Sequence, residues 1–132
     1  MSVIEFAKKN ISLNLTSAKN KLGDEVIGYN RIALSRYEKI DVETADNWLN
    51  QDIEKARKFA AKFGLDKHEP AIFFLFYIGH SRWKEVEGIL KLIKHGEYIK
   101  ATLILTNHRF IRNNPSLGGI LGTKIVKDDR TL

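Results

Sequence analysis

The 132-residue chain contains no cysteine, which removes disulfide staples and thiolate chemistry and argues against a disulfide-held secreted miniprotein. It also lacks a long hydrophobic run. The longest, AIFFLFYIG from Ala71 to Gly79, falls far short of the ~20 residues a membrane span needs, and reads instead as a fully buried helix. No membrane span is expected. The opening MSVIEFAKKN has neither a long apolar core nor a small-residue cleavage site, so no signal peptide is expected either. Four histidines, His68, His80, His95 and His108, stand far apart with no i,i+4 pair. They are read as surface residues, with no metal site and no cofactor.

What is present is an ordinary globular composition, 43% hydrophobic and 29% charged. The net charge of +6 and pI near 9.6 favour anionic partners: nucleic acid, acidic lipid or the anionic polymers of a bacterial envelope. The charge is spread over most segments. Basic residues adjoin aromatics in SRWKE and HRFIRNN, but Trp83 and Phe110 are better read as packing residues, which makes nucleic acid an unlikely main partner. GGILGTK, Gly118 to Lys124, has the Thr-Lys order of a phosphate-binding loop reversed, and no strand clearly precedes it.

Along the chain, residues 2–10 predict a short helix capped by Ser2, with Val3, Phe6 and Ala7 on one face. ISLNLT, from Ile11, alternates as a half-buried strand does, and a hairpin follows over NKLGDEVIGYN, Asn20 to Asn30, turning at Gly23-Asp24. Residues 31–39 read as loop with room for another short strand. From Asp41 the period changes. Val42, Ala45, Leu49, Ile53, Ala56, Ala60 and Phe63 recur every three or four residues, predicting one long helix over 42–63 with Asp41 as N-cap and Gly64 as stop. Asp66, with Glu69 three residues on, is expected to cap the next helix. Ser81 is expected to cap another that runs to His95, and Glu97 to Asn107 make a further short one. NNPSLGGILGTK beyond it is rich in turn formers. The expected fold is α+β and a single domain: a small N-terminal β-hairpin lobe (1–40), a long connecting helix (41–64), and a helical C-terminal lobe and tail (65–132).

That order, and the wording of three stretches, resembles the phage-type lysozyme family, the glycan hydrolases of bacteriophage endolysins and tail lysozymes. LNLTSAKNKLGDEVIGYN is similar to the family's strand and hairpin, which usually closes on T-I-G-Y-G-H. IDVETADNWLNQDIEKARKFA is similar to the long helix after it. LFYIGHSRWKEVEGILKLIKHGEYIKA is similar to the helical lobe, where a Leu-rich helix ends in Gly and an acidic-aromatic pair, here Gly96-Glu97-Tyr98. The likeness spans residues 3–107 and rests on order and spacing rather than on one strict motif.

The resemblance implies a saccharide cleft under the hairpin. Its chemistry rests on a Glu ending the first helix, an Asp nine residues on, and a Thr six residues further. Glycosidic cleavage needs a protonated acid at the leaving oxygen and a second group that stabilises the oxocarbenium ion or positions water. Anchored on Ile27-Gly28-Tyr29, those three positions hold Ile11, Asn20 and Val26. Asn30-Arg31 replaces the closing Gly-His. A one-residue slip brings Asn10 or Ser12 to the acid position, and neither is an acid. The nearest carboxylates are weak substitutes. Glu5 lies about one and a half turns, ~9 Å, too early; Glu25 should face away from Val26; Asp24 most simply serves the turn.

Candidate saccharide or partner contacts are Asn20, Asn30 and Arg31 on the hairpin, with Tyr77 and His80 across the gap. Tyr77 also belongs to the buried FFLFY run. The implied protein is a catalytically degenerate lysozyme-like module of a virion tail, injection apparatus or peptidoglycan contact. It would be made in a host cytoplasm, and either incorporated in a virion or released. Its partner would be peptidoglycan or another phage protein. Two alternatives remain: an active, divergent muramidase with relocated carboxylates, and a protein-binding module with an apolar, occluded groove that Ile11 would suit.

Overall fold

The computed structural model describes residues 1–35 and 38–132. Among them run six α-helices and a three-stranded antiparallel sheet, an α+β architecture. Helix α1 (Val3–Asn10) starts where the Ser2 hydroxyl accepts the Glu5 N–H at 3.1 Å, and it buries Val3, Phe6 and Ala7. It ends at Ile11, whose N–H closes the last turn on the Ala7 carbonyl. The strand expected from Ile11 therefore begins three residues later.

Strand β1 (Asn14–Lys19) pairs with β2 (Glu25–Gly28), which pairs with β3 (Arg31–Ile32). The β1–β2 register is irregular between Asn14 and Ala18. Strand β3 fills the place left for a further short strand, while Arg36 and Tyr37, within the stretch read as loop, lie outside the described residues. Gly28 has φ +66°, and a side chain there would meet Ile40 and Ala45 at 3.4 and 3.7 Å. Those contacts would be ordinary ones, and it is the left-handed backbone that calls for glycine here.

Helix α2 (Val42–Ala61) is capped as expected, the Asp41 carboxylate accepting the Thr44 N–H at 2.8 Å. Beyond Ala61 the chain tightens, and Gly64 (φ +71°) lets the Leu65 N–H return to the Ala60 carbonyl. Helix α3 (Glu69–Ile78) is buried from Pro70 to Ile78. Its cap is not Asp66. His68 holds that place, its Nδ1 accepting the Ala71 N–H at 3.2 Å, with no exposed surface.

The single helix expected over 81–95 is two pieces, a 3-10 segment (His80–Val86) and α4 (Glu87–Lys94), and Ser81 does not cap. The break has a physical cause. Trp83 donates its indole N–H to the Leu75 carbonyl at 2.8 Å, and Arg82 donates to the Ile78 carbonyl at 2.7 Å. These bonds hold the segment against the C-terminal end of α3, where Leu75 also accepts the Gly79 N–H at 3.2 Å and the Ile78 carbonyl lies beyond reach of any N–H of α3.

Helix α5 (Tyr98–Asn107) is followed by a helix that turn-former composition concealed, α6 (Pro115–Val126). Asn114 caps α6, accepting the Leu117 N–H at 3.3 Å. Two of its glycines are packing devices: a Cβ on Gly122 would stand 3.0 Å from Thr102 Cγ2, and one on Gly118 2.8 Å from Ile111 Cγ2. One apolar core runs through all six helices, and Phe6 of α1 meets Phe73 of α3 edge-on at 4.7 Å. Val26, Ile27 and Ala45 are buried outside that core, beneath the sheet.

Candidate functional site

A cavity of about 310 Å³ opens between the end of α1, the hairpin and α3. Ile11, Asn20 and Val26 all line it, together with Asn30 and Tyr77. Asn10, Ser12, Asn14, Lys19, Lys21 and Asn114, none of them expected as contacts, complete its described lining. Asn114 escaped notice because its helix did. Lys19 and Lys21 flank Asn20 in sequence and are carried to the rim by the hairpin. No carboxylate is among the described lining residues, so nothing there can protonate a glycosidic oxygen as a carboxylic acid or offset an oxocarbenium charge.

The polar groups nearest the hairpin hold one another. The Asn20 amide donates to Asn30 Oδ1 at 2.7 Å, while Asn20 Oδ1 accepts the Leu22 and Asp24 N–H groups at 2.9 and 3.0 Å. Asn30 in turn donates to the Tyr77 carbonyl at 2.9 Å, satisfying another open carbonyl at the end of α3. Asn30 sits at φ +72°, a left-handed conformation that asparagine tolerates better than most residues. An aspartate at position 20 would have no donor for Asn30. The hairpin is wired for an amide.

The expected contacts divide between two cavities that share Asn30. Asn20, Asn30 and Tyr77 line the first; Asn30, Arg31 and His80 line a second of about 240 Å³. Arg31 is already engaged. It grips the Asp52 carboxylate with two hydrogen bonds, 3.0 and 2.8 Å, and its guanidinium lies 4.5 Å from the centre of the Trp48 ring. His80 is exposed and meets Trp83 edge-on at 4.6 Å.

Neither weak substitute reaches the first cavity: Glu5 is exposed on α1, and Glu25 pairs opposite Lys19 in the sheet. Asp24 does more than serve the turn. It takes two hydrogen bonds from Arg82, at 2.8 and 2.9 Å, and that bond raises the Arg82 pKa. The ion pair fastens the hairpin tip to the segment after α3. His68 departs from the surface placement expected for the histidines. Burial pushes its pKa down from 6.5 to about 4, helped by the nearby Arg130 charge, so it is neutral and fit to accept the Ala71 N–H. Trp83 and Phe110 are buried packing residues. Among the described residues no group of three or more His, Asp or Glu could hold a metal ion, and no helix is long and apolar enough to cross a membrane. No protein-family model matches the chain, and no curated protein matches it.

Proposed function

We propose that this protein is a catalytically degenerate lysozyme-like domain that serves as a structural or binding module of a phage, in a virion tail, an injection apparatus or a contact with peptidoglycan. One observation carries the reading. Ile11, Asn20 and Val26, separated in sequence, line a single cavity beside Asn30 and Tyr77 with no carboxylate among its described lining. An amide chain from Asn20 through Asn30 to the Tyr77 carbonyl stands where the resemblance implies charge. Amides, a hydroxyl and ammonium groups remain on its walls, groups that suit hydroxylated ligands rather than an apolar protein surface.

The test is hydrolysis of purified peptidoglycan by the full chain, with a sedimentation assay on the same insoluble material. Binding without cleavage is expected of a peptidoglycan-contacting module. Cleavage abolished by Glu5→Gln or Glu25→Gln overturns the degenerate reading and makes the protein a muramidase with a relocated acid. Neither binding nor cleavage removes peptidoglycan as the partner and leaves assembly with another phage protein.

A further inference from the structure

Three cavities share walls. The first meets the second at Asn30, and the second meets a third, of about 470 Å³, at Lys55, His80 and Trp83. They trace one groove from the hairpin, past the end of α3, to the outer side of α2. Lys19 and Lys21 stand at one end and Arg31 near the middle. Lys55, Lys58, Lys62 and Lys84 follow along the other end. Against these seven cations the described lining holds two carboxylates, Glu87 and the Asp52 already paired with Arg31. The excess of five positive charges compares with +6 for the whole chain, so the rest of the molecule is close to neutral.

Those six lysines are exposed. Among the described residues none of them is in an ion pair, although elsewhere Lys8 pairs with Asp46, Arg57 with Glu54 and Lys124 with Asp129. Lys55 and Lys58 of α2 and Lys62 at its C-cap follow i, i+3 and i+7 spacing on one face, an arrangement that repels itself without a counter-charge. A lysine ammonium is a compact point charge with three rotatable donors, which binds phosphate oxygens without demanding one orientation.

We propose that this groove binds a linear phosphodiester polymer with a hydroxyl-rich repeat, the chemistry of the polyol phosphate polymers of bacterial surfaces. Lysines along α2 take the phosphates, and the amide-lined cavity takes the hydroxyls. A nucleic acid is the poorer fit because sequence-tolerant strand binding stacks bases on open aromatic faces. The aromatics here are covered. Trp83 is buried with His80 at 4.6 Å and Phe59 at 5.0 Å, Phe59 has the Lys62 ammonium 5.2 Å from its centre, and Phe76 and Tyr77 are buried. The inference does not depend on the lysozyme-like reading.

The full chain is titrated with poly(glycerol phosphate), with an oligothymidylate of matched charge, and with peptidoglycan stripped of anionic polymers. Poly(glycerol phosphate) is expected to bind, more weakly as salt rises. Replacing Lys55, Lys58 and Lys62 together by Gln should weaken it about tenfold or more. A control with Lys67, Lys100 and Lys127 changed to Gln carries the same net charge and should stay within about twofold of the parent. Absence of binding, equal losses in both variants, or tighter binding of the oligothymidylate overturns the proposal. The stripped-peptidoglycan arm reports on the preceding proposal separately.

Discussion

The helical body excludes water from Ile72, Phe73, Phe74 and Leu75 completely, whereas the described part of the sheet buries just Val26, Ile27 and Gly28. The sheet is fastened instead by directional polar ties: Asn20 to Asn30, Asn30 to the Tyr77 carbonyl, Asp24 to Arg82 and Arg31 to Asp52. Apolar packing tolerates changes that conserve volume. A hydrogen-bond chain can fail when one nitrogen becomes an oxygen. Asn20, where the resemblance implies an aspartate, belongs to the second kind of holding, whereas Ile11 and Val26 belong to the first.

The contrast can be broken from its larger side first. Phe73→Ala, which empties a fully buried site between α1 and α3, is expected to cost about 3–5 kcal/mol, measured by urea unfolding. Acid attacks the same body through His68. Its pKa is about 4 in the fold against 6.5 ordinarily, so the unfolded chain binds the extra proton between those values. Stability is full above pH 6.5 and falls by about 3 kcal/mol on approach to and below pH 4. His68→Asn keeps a capping acceptor and should flatten that dependence in thermal melts across the pH range.

Changes on the sheet side should be smaller and local. Asp24→Asn loosens the bidentate grip of Arg82 and should cost about 1–2 kcal/mol. Amide hydrogen exchange would quicken in β1 and β2 while α3 stays protected. Asn20→Asp sharpens the comparison most. It should destabilise the hairpin by about 1 kcal/mol at neutral pH, with part of the loss regained near pH 3, where a protonated acid can again donate to Asn30. It should bring no glycan hydrolysis, since Ile11 still supplies no acid. Recovery of cleavage in that single variant would contradict the assignment of the cavity.

Local signals announced the local structure. The apolar period beginning at Val42 and the Asp41 cap marked α2 to within two residues of its end, and the unbroken apolar run marked α3 as central. The failures required long-range knowledge. Gly118 and Gly122 have turn-like composition, but α6 needs Gly122 because Thr102 and Thr106 of α5 lie against it, and Gly118 because Ile111 of the connection before it does. His68 has no sequence sign of burial, since the elements around it come from distant segments. Within the site, Ile11, Asn20, Val26, Asn30 and Tyr77 were assembled by spacing and likeness. The Asn20–Asn30 bond, the reach of Asp24 to a residue 58 positions away and the lysines around the rim are products of the tertiary arrangement.

Both ends of the sheet are rooted in the same core. Ile11 closes α1, Asp41 opens α2, and an ion pair at 3.1 Å between Lys8 and Asp46 clamps the two helices. The sheet is therefore attached at both ends to helices that pack against each other independently of its pairing. The entropy of closing the loop between them is already met by the helices, so loss of the sheet pairing need not unfold the helical body.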